Sequence, residues 1–532
     1  VSGHKFFTEG RVCFTPAPLG EALDGFYATV FMPVVHNGEV YGKCDHNLSL
    51  ALTRLTARRL WEGEGSRPHY HEQLCDNQRA YLDKHQGFFE SLGSVYSEHD
   101  GFSDYFDSSQ ECREHYADPH QKKQLRIAGF LDLEAACKVE DFNSNWLRGH
   151  IDAKMKTGEI AKFGKIPRMI FDLGVEASLL GFRLTSCLKE AMSDYTFEIN
   201  GGHVCFCKTP NPFALQDAFD QLIAPRGRFF FLFFSDDSCL SIRLLDGRVL
   251  RYNLDISSCD SSHTEAIFRT WVLLFPERLR PEALRLVDQC KAKFKVKSHS
   301  DPRECVVIKP VVPKLYSGST ITTVINNTAC IALIHRISAI PESLWSSVAI
   351  VDACEDVGYK VTGTEPLECV EDIQFLKNSP VLDIHGHYRP LLNLGPFFRA
   401  SGRAKGDIPG RGDIVSRAYR FQKGLMMGAY PRANIPFLSK LYRRLPGDAF
   451  PCDYFTSKVE SDANYPTWVV DEESLFTRYR LLAFEVADLH YWAENVHFGD
   501  HFSCSAFNKI LEVDYGLTGC DVDQRSYLRR PL

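Results

Sequence analysis

FFFLFFSDDSCLSIRLLDGRVLRYNLDISSCDSSHT, residues 229–264, is the stretch whose reading decides the fold. An almost uninterrupted apolar run, 229–234, delivers Ser235, Asp236 and Asp237 to a tight turn. The chain leaves through Leu240, Ile242 and Leu244, reverses at Asp246-Gly247, and returns through Val249, Leu250, Tyr252 and Leu254 to Asp255. Asp-Gly between two β-prone runs is the strongest short-range hairpin signal. A two-residue turn sets a register in which Leu245 faces Arg248, Ser238 faces Asp255 and Asp237 faces Ile256. Three carboxylates then meet at one end of strands about 5 Å apart. They cannot all stay ionised there without a cation between them, and an all-oxygen donor set suits Mg²⁺ or Mn²⁺.

The chain has 532 residues and 44% hydrophobic content, which fits several domains or one multi-lobed enzyme and excludes a disordered or fibrous class. No run approaches the roughly 18 apolar residues needed to span a membrane. The opening VSGHKFF lacks the shape of a signal peptide, so a soluble intracellular protein is expected. Val at position 1 leads us to expect a processed product or a fragment. The 18 cysteines are scattered, without a disulfide-framework spacing. His203-x-Cys205-x-Cys207 is the nearest approach to a metal cluster, with no second ligand pair at zinc spacing beside it.

A net charge of −7 argues against a uniformly basic nucleic-acid binder. The charge is nevertheless uneven: 148–168 carry six Lys/Arg against two acids, and 291–314 and 398–423 each carry seven against two. Any one island reads as a solvated face, whereas three together suit a channel for a polyanion.

Helical patterning is expected over 121–139, with Leu125, Ile127, Leu131 and Leu133 among its apolar positions. Gly164 and Pro167 break the chain before a short strand at 169–171 and a helix over 175–184. Beyond Asp255, a polar turn leads to an amphipathic helix over 264–275, and 291–297 alternate as a strand with one basic face. A Ser/Gly loop then opens a long helix ending near Ile340. A second helix is expected over 342–358, a strand at 360–361, and another at 373–377 closed by Pro380. From 381 onward, helical pieces alternate with Pro/Gly loops.

Over 150–380 these residues resemble the viral RNA-dependent RNA polymerases. Asp255-x4-Asp260 looks like their motif A, Ser317-Gly318 with Thr322 and Asn326 like motif B, and Ser235-Asp236-Asp237 like motif C. Lys165-x-x-Arg168-x-Ile170 is similar to the end of motif F, 356–360 to motif D, and 375–377 to motif E. The order departs from most of the family, because motif C precedes A and no Asp-Asp pair follows B. The chain therefore resembles the permuted C-A-B polymerases of the permutotetravirus and birnavirus lineage. Its Ser-Asp-Asp differs from the Gly-Asp-Asp of the first group and the Ala-Asp-Asn of the second.

The resemblance implies an α+β right-hand polymerase with permuted connectivity and an antiparallel palm sheet flanked by helices. Fingers would cover 1–223, a palm 224–380 with a fingers insertion over 265–312, and a thumb 381–532. It implies RNA synthesis from nucleoside triphosphates, with Asp255, Asp236 and Asp237 holding two Mg²⁺ or Mn²⁺ ions. Lys165 and Arg168 would grip the triphosphate; Asp260, Ser317, Gly318, Thr322 and Asn326 would read the nucleotide and its ribose; Lys360 would protonate the leaving pyrophosphate. Template and product RNA and other viral replication proteins are the implied partners, in the host cytoplasm or the virion. Reverse transcriptase-like DNA synthesis and a non-catalytic RNA-binding scaffold are the alternatives. Asp260 and Asn326 oppose the first, and the intact carboxylates oppose the second.

Overall fold

The computed structural model describes residues 14–16, 22–23, 26–28, 39–56, 70–103, 151–156, 159, 165–173, 175–401, 403–405, 408, 410–498 and 504–516. The helix expected over 121–139 lies outside them, as do residues 162–164 of the motif F stretch. The architecture is a mixture of helices and sheets. Helix α1 (Tyr70–Lys84) precedes strands β1 (Ile151–Met155) and β2 (Met169–Asp172), then helix α2 (Val175–Asp194). Strands β3 (Phe197–Ile199) and β4 (Gly202–Phe206) lead through helix α3 (Pro212–Ile223) to β5 (Phe229–Phe234), β6 (Asp237–Arg243) and β7 (Val249–Ile256). Helix α4 (Glu265–Val272), strands β8 (Phe294–Lys297) and β9 (Cys305–Ile308), and helices α5 (Thr322–Ser338) and α6 (Ser347–Asp356) follow, then the short strand β10 (Val361–Thr362).

A six-stranded sheet in the order β10-β7-β6-β5-β4-β3 organises the molecule. Its centre is β5, whose run of phenylalanines is apolar because both faces are covered. Phe229, Phe231 and Phe233 join the core formed with α2, α4 and α5. Phe230 and Leu232 join a second core with Leu215, Phe219 and Leu222 of α3 and with Phe375. The sheet is antiparallel except at one pair: β4 and β5 run parallel, because α3 carries the chain back across the sheet between them. Two of its strands thus come from before residue 224, so the palm boundary expected there falls inside the sheet. A smaller sheet, β9-β8-β1-β2, joins segments 151–172 and 294–308. Phe294 and Val296 pack inward there while Lys297 stays exposed, as the alternation predicts.

The β6–β7 register differs from the expected one by a residue. Leu244 N–H donates to the Arg248 carbonyl at 2.8 Å and Gly247 N–H to the Leu244 carbonyl at 2.9 Å. The loop is therefore the three residues Leu245-Asp246-Gly247, with Gly247 at φ 88° supplying the left-handed bulge that a three-residue hairpin uses. Asp246 favours this form by accepting from the Arg248 backbone N–H at 3.0 Å and from its guanidinium at 2.7 Å. As a result Asp237, not Ser238, faces Asp255.

Two more expectations change. Residues 373–377 are not a strand: Leu376 and Lys377 both hold positive φ, 50° and 64°, in a tight turn closed by paired backbone bonds between Phe375 and Asn378. Strand β11 (Asn378–Leu382) begins there, pairs with β12 (Tyr388–Leu392), and includes Pro380, tolerated in a two-stranded ribbon. The helix expected over 342–358 is split. A single turn at Glu342–Leu344 ends before Ser346, whose side chain caps α6 by accepting from Ala349 N–H at 3.1 Å. Beyond the ribbon, helices such as Leu394–Ser401, Ile414–Ala429 and Ala483–Asn495 bury a core of their own. Every cysteine among the described residues is a free thiol, and no described helix is long and apolar enough to cross a membrane.

Candidate active site

Ser235 and Asp236 form the turn between β5 and β6. Ser235 sits in the left-handed region at φ 54°, where a non-glycine residue needs support. Helix α5 supplies it. The Ser235 N–H donates to Asn327 Oδ1 at 2.7 Å, its hydroxyl accepts from Asn326 Nδ2 at 3.2 Å, and its carbonyl accepts from the Cys330 thiol at 3.1 Å. Asp237 then opens β6 directly opposite Asp255 on β7, so both side chains project from the same face. From the far side, the 376–377 turn reaches in, and Leu376 N–H donates to Asp237 Oδ2 at 3.2 Å.

These three residues are exposed to solvent, yet protein crowds them on their other sides. Burial raises the pKa of each above the ordinary carboxylate range. Mutual repulsion adds to it: Asp237 and Asp260 raise Asp236, Asp236 raises Asp255, and Asp255 raises Asp237. Cations from separate segments oppose the shift. Arg168 acts on Asp236, Lys165 on Asp255, and Lys377 and Lys458 on Asp237. The Arg168 fork is itself held, with Nε and Nη2 donating to Glu159 Oε1 at 2.9 and 2.6 Å.

Among the described residues, no group of three or more His, Cys, Asp or Glu side chains is spaced to hold an ion by itself. His203, Cys205 and Cys207 accordingly form no zinc site; the Cys207 thiol donates to the Thr209 carbonyl instead. The Asp236, Asp237 and Asp255 set does fit a hard divalent ion of the Mg²⁺ kind. Such ions use one or two carboxylates and complete their shell with water and phosphate oxygens, so a protein cage is not required. The repulsion among them, which adds to the larger effect of lost hydration, is of the sort an ion would relieve.

Beside this cluster lies a polar network. A one-turn helix, Cys259–Ser261, follows β7 and presents Asp260. Its Oδ2 accepts from the Ser317 hydroxyl at 2.8 Å and its Oδ1 from Asn326 Nδ2 at 3.0 Å. Asn326 thus joins Asp260 to the Ser235 turn. Gly318 holds φ 96°, and a Cβ there would lie 2.9 Å from the Phe171 carbonyl, so the loop presses against β2 as only glycine allows. The Thr322 hydroxyl donates to the Tyr316 carbonyl at 3.0 Å, bracing the loop. Lys360 enters the far edge, where its carbonyl accepts from Ser257 N–H at 2.8 Å. No hydrogen bond among the described residues joins its side chain to the carboxylates.

The structure therefore brings together Asp236, Asp237, Asp255, Asp260, Ser317, Asn326, Lys165 and Arg168. Sequence reasoning missed Asn327, Lys458 and His263. Asn327 had a signal: two adjacent amides in an otherwise apolar helix, both fully buried, must be satisfied by something. Lys458 had none, because it arrives from a distant irregular segment.

The sequence matches no protein-family model and no curated protein. Among solved structures, the RNA polymerase VP1 of infectious pancreatic necrosis virus is similar at 12% identity and TM-score 0.33, covering 50% of this chain and 39% of that one. A birnavirus VP1–VP3 complex is similar at 13% identity and TM-score 0.33, covering 50% of this chain and 40% of that one. Likeness at that level assigns neither fold nor function.

Proposed function

We propose that this chain is a template-directed RNA polymerase of the permuted type, adding ribonucleotides with the help of two Mg²⁺ or Mn²⁺ ions. The observation that carries the reading is the register placing Asp237 opposite Asp255, with Asp236 in the adjoining turn and the Asp260–Ser317–Asn326 network beside them. In this reading the six-stranded sheet with α5 is the palm, the smaller sheet belongs to the fingers, and the segment from 381 is the thumb. Motif C comes first because a three-residue loop joins its second strand straight to the motif A strand.

Asp255, Asp236 and Asp237 would hold the ions, which when bound activate a 3′-hydroxyl and stabilise the attacking and leaving oxygens of an in-line displacement. Arg168 and Lys165 neutralise the incoming triphosphate, Arg168 by exchanging its Glu159 partner for phosphate oxygens. Asp260 and Asn326, steadied by Ser317, hydrogen-bond the ribose, so a sugar lacking the 2′-hydroxyl leaves them unpaired. Lys360 is the proposed proton donor to pyrophosphate. Template and product RNA, nucleoside triphosphates and other viral replication proteins are the partners this reading expects, in the host cytoplasm.

Primer extension on an RNA template tests it. Asp255→Ala and Asp236→Ala are each expected to lower incorporation by at least about 100-fold, the scale on which a lost transition-state electrostatic contact registers. Unchanged incorporation in both variants would sink the assignment.

A further inference from the structure

His263 is buried, 3% exposed, and stands where the polar loop after β7 meets α5. Its Nε2 lies 2.8 Å from Asn326 Oδ1 and its Nδ1 2.8 Å from the Tyr359 hydroxyl. The direction of each bond follows from Asn326. That amide gives its two hydrogens to Asp260 at 3.0 Å and Ser235 at 3.2 Å, so its oxygen faces the imidazole and Nε2 must carry a proton. In the neutral ring Nδ1 then accepts, and Tyr359 is the donor that selects this tautomer.

The ring has little freedom to leave. On one side Thr264 donates from both N–H and hydroxyl to Gln78 Oε1 at 2.7 Å, and on the other Gln78 Nε2 donates to the Ser262 carbonyl at 3.0 Å. Gln78 belongs to α1 and is itself fully buried. Without the imidazole, Asn326 Oδ1 keeps the Cys259 thiol at 3.3 Å, a weak donor.

We propose that His263, seated by Tyr359, is the positioning residue that fixes the Asn326 amide for ribose selection. The inference rests on the polymerase reading above and assigns a role to residues outside the recognised motifs. The imidazole touches no substrate. It acts by making one amide orientation the only satisfied one, so that Asp260 and Asn326 meet the sugar as a prearranged pair.

The test compares ATP with 2′-deoxy-ATP, in extension and in equilibrium binding with Mn²⁺, for the full chain and for His263→Phe, His263→Gln and Tyr359→Phe. His263→Phe is expected to cut the ribo/deoxy ratio of kcat/KM by about tenfold, the equivalent of one ordinary hydrogen bond. His263→Gln, which keeps an N–H donor, should retain most of the ratio, with Tyr359→Phe between the two. Equal losses for both nucleotides would mean a merely structural role and overturn the proposal, as would an unchanged ratio in a folded His263→Phe protein. Should that variant fail to fold, a Tyr359→Phe ratio equal to the unaltered chain's is the overturning result. The unaltered chain separates the two readings: if it extends no primer, the polymerase reading fails, and the binding preference for ATP over 2′-deoxy-ATP then decides the role of His263 alone.

Discussion

Asp236 carries the energetic cost of the site in the ion-free chain. Its pKa stands above the ordinary carboxylate value because the surrounding protein strips part of its hydration and Asp237 and Asp260 lie close, although the residue itself remains exposed. A raised folded-state pKa means that ionisation works against folding: the penalty is absent below about pH 4, grows as pH rises through the raised value, and is complete above it. Asp236→Asn removes it. In EDTA at pH 7 the variant is expected to melt slightly higher than the unaltered chain, by about 1 °C or less given its exposure to solvent, with the gap closing toward pH 4. Thermal melts across that range check the sign, and a lower melting temperature at pH 7 would contradict it. At this scale the proximity of Asp260, Ser317 and Asn326 was legible from spacing, and the three share one hydrogen-bonded network. Nothing in the sequence marked the bond from the Thr322 hydroxyl to the Tyr316 carbonyl.

The β6–β7 hairpin was legible as an element and misread in register. Asp-Gly announces a reversal, but whether two or three residues form the loop depends on which conformation Asp246 and Arg248 stabilise together, and two-residue bookkeeping omits that. The difference has a consequence that can be measured. Deleting Leu245 leaves Asp246-Gly247 as a two-residue turn between Leu244 and Arg248, so Asp237 still faces Asp255. Extension activity should then be retained, as it should when Leu245 is replaced by Ala, since that side chain is 70% exposed at the hairpin tip; loss of activity on the deletion would contradict this register. The 373–377 stretch failed for a related reason. Its apolar residues suit a strand, yet the two left-handed residues at 376–377 are fixed by contacts outside the stretch: Leu376 N–H meets Asp237, and Lys377 Nζ donates to the Asp514 carbonyl at 2.8 Å.

Across the whole molecule, charges that the sequence scatters come together around the acidic end of the sheet. Lys165 and Arg168 precede β2, Lys377 sits on the turn before β11, and Lys458 comes from the carboxy-terminal part, its carbonyl held by Asn378 Nδ2 at 2.8 Å. Lys458 feels the charge of Arg399 on one side and of Asp237 at the acidic end of the sheet on the other. Single-stranded RNA binding should weaken as salt rises, and Lys458→Ala should reduce the slope of log K against log salt by about 0.7. Titrations at four salt concentrations would show it; an unchanged slope would exclude Lys458 from the RNA path. The basic islands were visible in composition, but their convergence was not, because burial and long-range pairing decide which lysines share a cleft. The same limit applies to the expected boundary at 223. Parallel pairing of β4 with β5 across α3 is a three-dimensional fact with no mark at that residue.

The meander of β5, β6 and β7 contains Asp236, Asp237 and Asp255 within residues 229–256. Asn326, by contrast, reaches Asp260 across 66 residues, and Thr362 reaches the Asp255 carbonyl across 107. Loop-closure entropy favours the nearer contacts. During synthesis the acidic cluster can therefore assemble before α5 and the closing edge strand have emerged from the ribosome. The chain order thus makes the charged centre an early, local product of folding, and leaves the Asn326 contacts to be added last.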